Sequence, residues 1–121
     1  MGRIGGIVYL RKDGKLITLG DGDLSFNLGG IKREAVLSSS GVAGFSGKFQ
    51  VPFIEGEMLH TKDLDIKEML DTEDATISAE LYNGKTFILH EAFFVGEGDV
   101  SSDGKFKFRF ESAKEGELID A

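Results

Sequence analysis

Cysteine and tryptophan are absent from the 121 residues, proline occurs once and histidine twice. Without cysteine there is no disulfide, no thiolate metal site and no cysteine nucleophile, and a reducing compartment is the expected setting. No stretch approaches the ~20 consecutive apolar residues that a membrane-spanning helix needs. The opening residues, Met1 to Gly6, are too short and too weakly apolar for a secretory signal. The expectation is a soluble cytoplasmic protein with no membrane segment. Basic charge is scarce as well: 14 Lys and Arg against 21 Asp and Glu give a net charge of −7. That balance disfavours tight nucleic-acid binding, which needs clustered cations on phosphates.

What is present fits one globular domain over residues 1–121, with a core held between two packed layers. Hydrophobic residues make up 40% and charged residues 29%, a balance that disfavours disorder. Ten phenylalanines supply most of the bulk, and 17 glycines allow many tight turns. Asp13-Gly14, Asp21-Gly22, Gly29-Gly30, Asn83-Gly84 and Asp103-Gly104 punctuate the chain. Between them apolar and polar residues alternate with period two, the mark of half-buried strands.

Strands are expected from Ile7 to Arg11 and Leu16 to Leu19, as one hairpin, and from Asp23 to Leu28. A further strand is expected from Phe45 to Phe53, with Phe45, Phe49, Val51 and Phe53 on one face. Gly47 in it signals a bulge or a close backbone approach. Residues 75–81 and 85–94 read as a hairpin closed by a type I′ turn at Asn83-Gly84. Lys105 to Glu111 turns Phe106, Phe108 and Phe110 inward. Thr61 to Leu70 reads as one short helix, N-capped by Thr61, with Asp63 and Asp65 in its first turn and Leu64, Ile66, Met69 and Leu70 along one side. The fold class is mainly β: a β-sandwich or barrel of seven or eight strands, one helix over residues 61–70, and a long loop over 29–44 between two strands. Loops of that length in compact domains are usually functional or disordered.

Catalytic chemistry is thin. His60 and His90 have no nearby partner for a metal site. Asp21-Gly22-Asp23 opens like a calcium loop, but Phe26 and Lys32 stand where glycine and a bidentate glutamate are required. Glu55 and Glu57 could pair for acid–base work, yet they flank a glycine in an expected loop. Asp63 and Asp65 serve the helix start. Ser38 to Ser40 lack a nucleophile elbow. Gly2, Gly5 and Gly6 precede a strand, not the helix that a phosphate loop requires. No catalytic residue, metal ligand or cofactor is assigned.

Several ordered segments resemble the tail tube proteins of Mu-like contractile phages. They are the Gly-rich start, Asp13-Gly14-Lys15-Leu16, Gly30-Ile31-Lys32-Arg33-Glu34-Ala35-Val36, Gly41-Val42-Ala43-Gly44-Phe45, Val51-Pro52-Phe53-Ile54-Glu55-Gly56-Glu57, Asp74-Ala75-Thr76-Ile77, Glu80-Leu81-Tyr82-Asn83-Gly84-Lys85 and Asp103-Gly104-Lys105. The resemblance implies a structural subunit, not an enzyme. It would be assembled in the host bacterial cytoplasm into the virion tail, as stacked hexameric rings around a channel that DNA passes without specific binding. The implied partners are other copies of the chain and the sheath, baseplate and tail terminator proteins. Related tubes occur in phage-derived bacteriocins and in secretion-type contractile injection systems; a small ligand-binding β-barrel and a carboxylate-pair hydrolase are the readings from other classes. Within this frame the 29–44 segment is expected to reach a neighbouring subunit, with Gly30, Ile31, Lys32, Arg33, Glu34, Val42 and Phe45 at the interface. Asp23, Ser25, Asn27, Ser46, Lys48 and Gln50 are the candidates for the lumen wall. The arm of residues 1–6 and the tail of residues 113–121 are expected to touch adjacent rings or chaperone-like partners.

Overall fold

The computed structural model describes residues 7–19, 24–62, 64–96 and 98–120. Asp21-Gly22, the lumen candidate Asp23, Asp63 and the arm of residues 1–6 lie outside the described residues. Among those described there are ten strands and one helix.

β1 (Ile7–Lys12) and β2 (Lys15–Ile17) pair antiparallel around Asp13-Gly14. Both turn residues take positive φ, 51° and 85°, so this is the two-residue turn whose twist matches its strands. β7 (Ala75–Leu81) follows β1, and β8 (Lys85–Phe94) follows β7. The β7–β8 turn differs from the type I′ expectation. Gly84 has φ 86°, Asn83 is not among the positive-φ residues, and Glu80 stands opposite Thr86. The loop therefore carries one more residue, with glycine alone in the left-handed position and the Asn83 side chain accepting the Lys85 N–H at 3.0 Å.

β9 (Lys105–Glu111), β6 (Phe53–Leu59) and β3 (Ser25–Asn27) extend the sheet beyond β8, in the order β2-β1-β7-β8-β9-β6-β3. The sheet curls until its ends approach each other. Leu19 bridges Met58, and the Leu59 N–H donates to the Thr18 carbonyl at 2.9 Å. Phe26 of β3 stacks on Phe87 of β8 at 4.5 Å, so strands far apart along the sheet face each other. The result is a sandwich-like, largely closed β layer around one core. Leu10, Ile77, Ala79, Phe87 and Leu89 fill it from one side, and Ile54, Met58, Phe106, Phe108 and Phe110 from the other. The inward alternation expected for Lys105 to Glu111 is observed, all three phenylalanines being buried.

β8 belongs to both halves. Its first residues lie between β7 and β10 (Glu117–Asp120), and its last two pair with β9. Between these segments Glu91 takes φ 52°, a left-handed kink uncommon for a residue with a Cβ, and its carboxylate pairs with Lys114.

Four expectations are corrected. Residues 29–44 are not a loop: β4 (Gly30–Ser38) and β5 (Gly41–Gln50) form a separate two-stranded sheet joined at Ser39-Ser40. Serines and glycines there lower the apolar content, but the backbone pairs along its whole length. Glu55 and Glu57 lie on a strand, β6, not a loop, because Ile54 and Met58 on either side are pulled into the core. The helix is shorter than 61–70. α1 spans Ile66–Leu70, because the Asp65 carboxylate, not Thr61, accepts the first free N–H, that of Glu68, at 3.2 Å. The last residues are not only a tail, since Glu117–Asp120 pair with β8 as β10.

Candidate functional site

The β4–β5 hairpin stands away from the core. Every residue from Ile31 to Phe49 is exposed, and no arm residue belongs to the buried cluster. Nine paired residues at ~3.3 Å each make an arm about 30 Å long. Its root is a backbone fixture. Gly29 and Gly30 take φ 84° and 92°, and the place of a Gly29 Cβ lies 2.6 Å from Pro52 Cγ in the link between β5 and β6. Only a residue without a Cβ fits there.

Opposed residues in an antiparallel ladder share a face, so the register sorts the arm into two surfaces. One carries Ile31 opposite Phe49, Arg33 opposite Gly47, Ala35 opposite Phe45 and Leu37 opposite Val42. A register shift between Val36 and Leu37 keeps Val42 on the same face as Phe45. Exposure there is 89% at Phe49, 74% at Leu37, 69% at Val42 and 68% at Phe45. The Arg33 guanidinium lies 5.4 Å from the Phe45 ring, and Ile31 leans over Gly47, where a Cβ would meet it at 2.7 Å. Gly47 thus makes room for a side chain, not for the bulge or backbone approach expected there, and the register shift lies between Val36 and Leu37. The second surface carries Lys32 opposite Lys48, Glu34 opposite Ser46 and Gly30 opposite Gln50. Lys32 and Glu34 stand 3.9 Å apart on it.

The predicted site residues therefore fall into three groups. Of the interface set, Ile31, Arg33, Val42 and Phe45 lie on the apolar face, Lys32 and Glu34 on the polar face, and Gly30 at the root. Of the lumen set, Ser46, Lys48 and Gln50 share the polar face of the arm. Ser25 and Asn27 lie on β3, on the side away from Phe26. Asn27 Nδ2 donates to Gln50 Oε1 at 3.4 Å, joining β3 to the arm in one polar track. The interface set named from the sequence omits Leu37 and Phe49, which share the exposed apolar face. Period-two alternation does not tell a face turned to the core from a face left exposed. The unusually small neighbours Gly44 and Gly47 were the available signal.

The Glu55 and Glu57 positions each face a cation across the β6–β9 ladder. In register, Glu55 opposes Arg109 and Glu57 opposes Lys107. Arg109 Nη1 donates to Glu55 at 2.9 Å, its Nε donates to Glu111 at 2.7 Å, and its guanidinium stacks on Phe53 at 4.0 Å. Although partial burial works against the charge, these carboxylates hold the guanidinium pKa above its ordinary value.

A largely closed β core carrying one long arm with an exposed apolar face is the architecture of a structural building block. The chain belongs to the phage tail tube protein family, whose model matches residues 1–117. It is 33% identical over 92 residues to the Mu-like prophage FluMu tail tube protein of Haemophilus influenzae, covering 76% of this chain and 77% of that relative. Its role is accordingly structural, as a self-assembling component of a phage virion tail that associates with other tail components.

Proposed function

We propose that the chain is the repeating subunit of a hollow tube of stacked hexameric rings, joined through the β4–β5 arm and enclosing a channel for DNA. The observation that carries this reading is the apolar face of the arm. Ile31, Leu37, Val42, Phe45 and Phe49 form one exposed strip, and strips of this kind mark protein–protein contact sites. An arm that contacts a different surface on the next copy makes a head-to-tail interface, which closes into a ring when the rotation divides a full turn. The opposite face of the arm, with Ser25 and Asn27 of β3, then supplies the lumen wall. Glu34 beside Lys32 tempers the Lys32 and Lys48 charges on that wall, and the net charge of −7 opposes adhesion of DNA.

Negative-stain electron microscopy of the purified protein over a range of concentrations, with light scattering, tests the reading. Rings or hollow tubes with six-fold views are expected. Replacing residues 30–50 by a short Gly-Ser connection should leave a folded monomer that forms none, because no residue of the arm enters the core. Rings from that variant would refute the role of the arm.

A further inference from the structure

If the β4–β5 arm joins identical subunits, the proposed role on which this docking site rests, the same chain must also carry a receiving surface. Away from the arm, a large hollow with an apolar wall lies between the β1–β2 hairpin and α1. It is a cavity of about 410 Å³ with Leu16, Ile17, Leu59, Leu64 and Met69 among its lining residues. Leu16 remains 54% exposed there. A second depression adjoins the hollow, the two sharing Lys12, Asp13, Asp65 and Glu68 as lining residues. That second depression is lined by six carboxylates and two lysines. Asp13, Asp65 and Glu68 line both depressions of this groove, Asp71, Glu73 and Asp74 extend the acidic wall in the second, and the large apolar side chains are confined to the first.

The apolar face of the arm has the same order of chemistry. Its tip presents Leu37 and Val42, and four residues back along β4, about 13 Å at strand spacing, stands Arg33. Arg33 is the one cation on that face. The arm from residue 30 to residue 50 holds three cations and one carboxylate in a chain of net charge −7, so arm and body attract as they approach. We infer that the arm of one subunit lies along this groove of a second copy, with Leu37 and Val42 against the apolar side chains of the first depression and Arg33 over the carboxylates of the second. A guanidinium is suited to the second because its fork of donors matches carboxylate geometry.

The absence of cysteine lets an introduced pair report the contact cleanly. The full chain carrying Leu37→Cys and Leu16→Cys, both exposed positions, would be assembled, oxidised and run on a non-reducing gel. A ladder of covalent oligomers is expected. A control pair, Leu37→Cys with Leu118→Cys on β10, should give none. A ladder from the control pair alone, a cross-link within one chain, or assembled particles without a ladder would each overturn the docking site. Charge supplies a second readout independent of cysteine. Arg33→Glu should raise the concentration at which tubes first appear about tenfold or more, and adding Glu73→Arg and Asp74→Arg should recover most of that loss. No recovery, in a variant with an unchanged circular dichroism spectrum, counts against the groove. The arm-deleted chain separates the two levels. If it still assembles, the joining role of the arm falls and the docking site with it. If it does not assemble and the Leu37–Leu16 ladder is also absent, only the docking site falls.

Discussion

Two phenylalanines of this chain should respond to truncation in opposite ways. Phe110 is fully buried in β9, against Phe94 and Phe108, whereas Phe49 on the arm is 89% exposed. Phe110→Ala removes a ring from a closed core and leaves a cavity, at a cost of about 3–5 kcal/mol. Domains of this size are stable by roughly 5–15 kcal/mol, so the variant should keep its fold with a much reduced margin. At roughly 4 °C per kcal/mol its thermal midpoint should fall by about 12–20 °C. Phe49→Ala deletes the same number of atoms from a surface that touches little in the monomer. Its midpoint should move by less than about 0.5 kcal/mol in equivalent stability, while tube formation should be lost. The assay is thermal and urea unfolding at protein concentrations below assembly, since self-association would itself stabilise the folded state. Electron microscopy at high concentration reads assembly. Equal destabilisation by the two changes would mean that the arm packs on its own subunit, and the separation of core from contact strip would then be wrong.

The root of the arm offers a second test. Gly29→Ala places a Cβ against Pro52 at a φ of 84°, and should cost about 1–2 kcal/mol for the left-handed backbone together with weakened assembly, read by urea unfolding and light scattering. Arg109→Ala removes a guanidinium that bridges Glu55 and Glu111 and stacks on Phe53. A loss of about 1–2 kcal/mol in urea unfolding is expected, partly recovered by Lys, which keeps the charge but not the fork. The Asp103 carboxyl is held below its ordinary value of 3.8, chiefly by the hydrogen bond it accepts from the Ser101 hydroxyl. A depressed carboxyl contributes stability above its unfolded value and loses it as pH falls towards the folded one. The contribution is therefore full at pH 5–8 and fades below about pH 4, and Asp103→Asn should flatten that limb in a pH series of thermal midpoints.

Much of the fold was legible because local signals and core packing agree. Phe106, Phe108 and Phe110 alternate with charged residues, and burying one face of β9 satisfies all three. Asp13-Gly14 between two short apolar runs specified its turn completely. Asn83-Gly84 carried the same kind of signal yet closes a longer loop, since the pairing of Glu80 with Thr86 was decided by Ala79 and Phe87 reaching the core. The helix was drawn too long because Thr61 and Asp65 are both acceptable caps, and only the tertiary path of the chain chooses between them. The candidate site was legible in position but not in form. Residues 29–44 stood out by composition, and their glycines suggested a loop. What makes them a ribbon is the ladder from Gly30–Gln50 to Ser38–Gly41, in which Ile31, Val36, Val42, Phe45 and Phe49 supply strand propensity among the glycines and serines.

The passage of β8 through both halves of the sheet has a mechanical consequence. In a sandwich of two independent sheets, a sideways load is resisted mainly by the friction of interlocked side chains. Here one covalent backbone crosses from layer to layer at Glu91, and hydrogen bonds fasten it on both sides of the crossing. Sliding one layer past the other would have to tear a ladder, a failure in which many bonds share the load. The subunit should therefore yield at the glycine-rooted arm long before it yields in its body, giving a stiff block on a compliant joint.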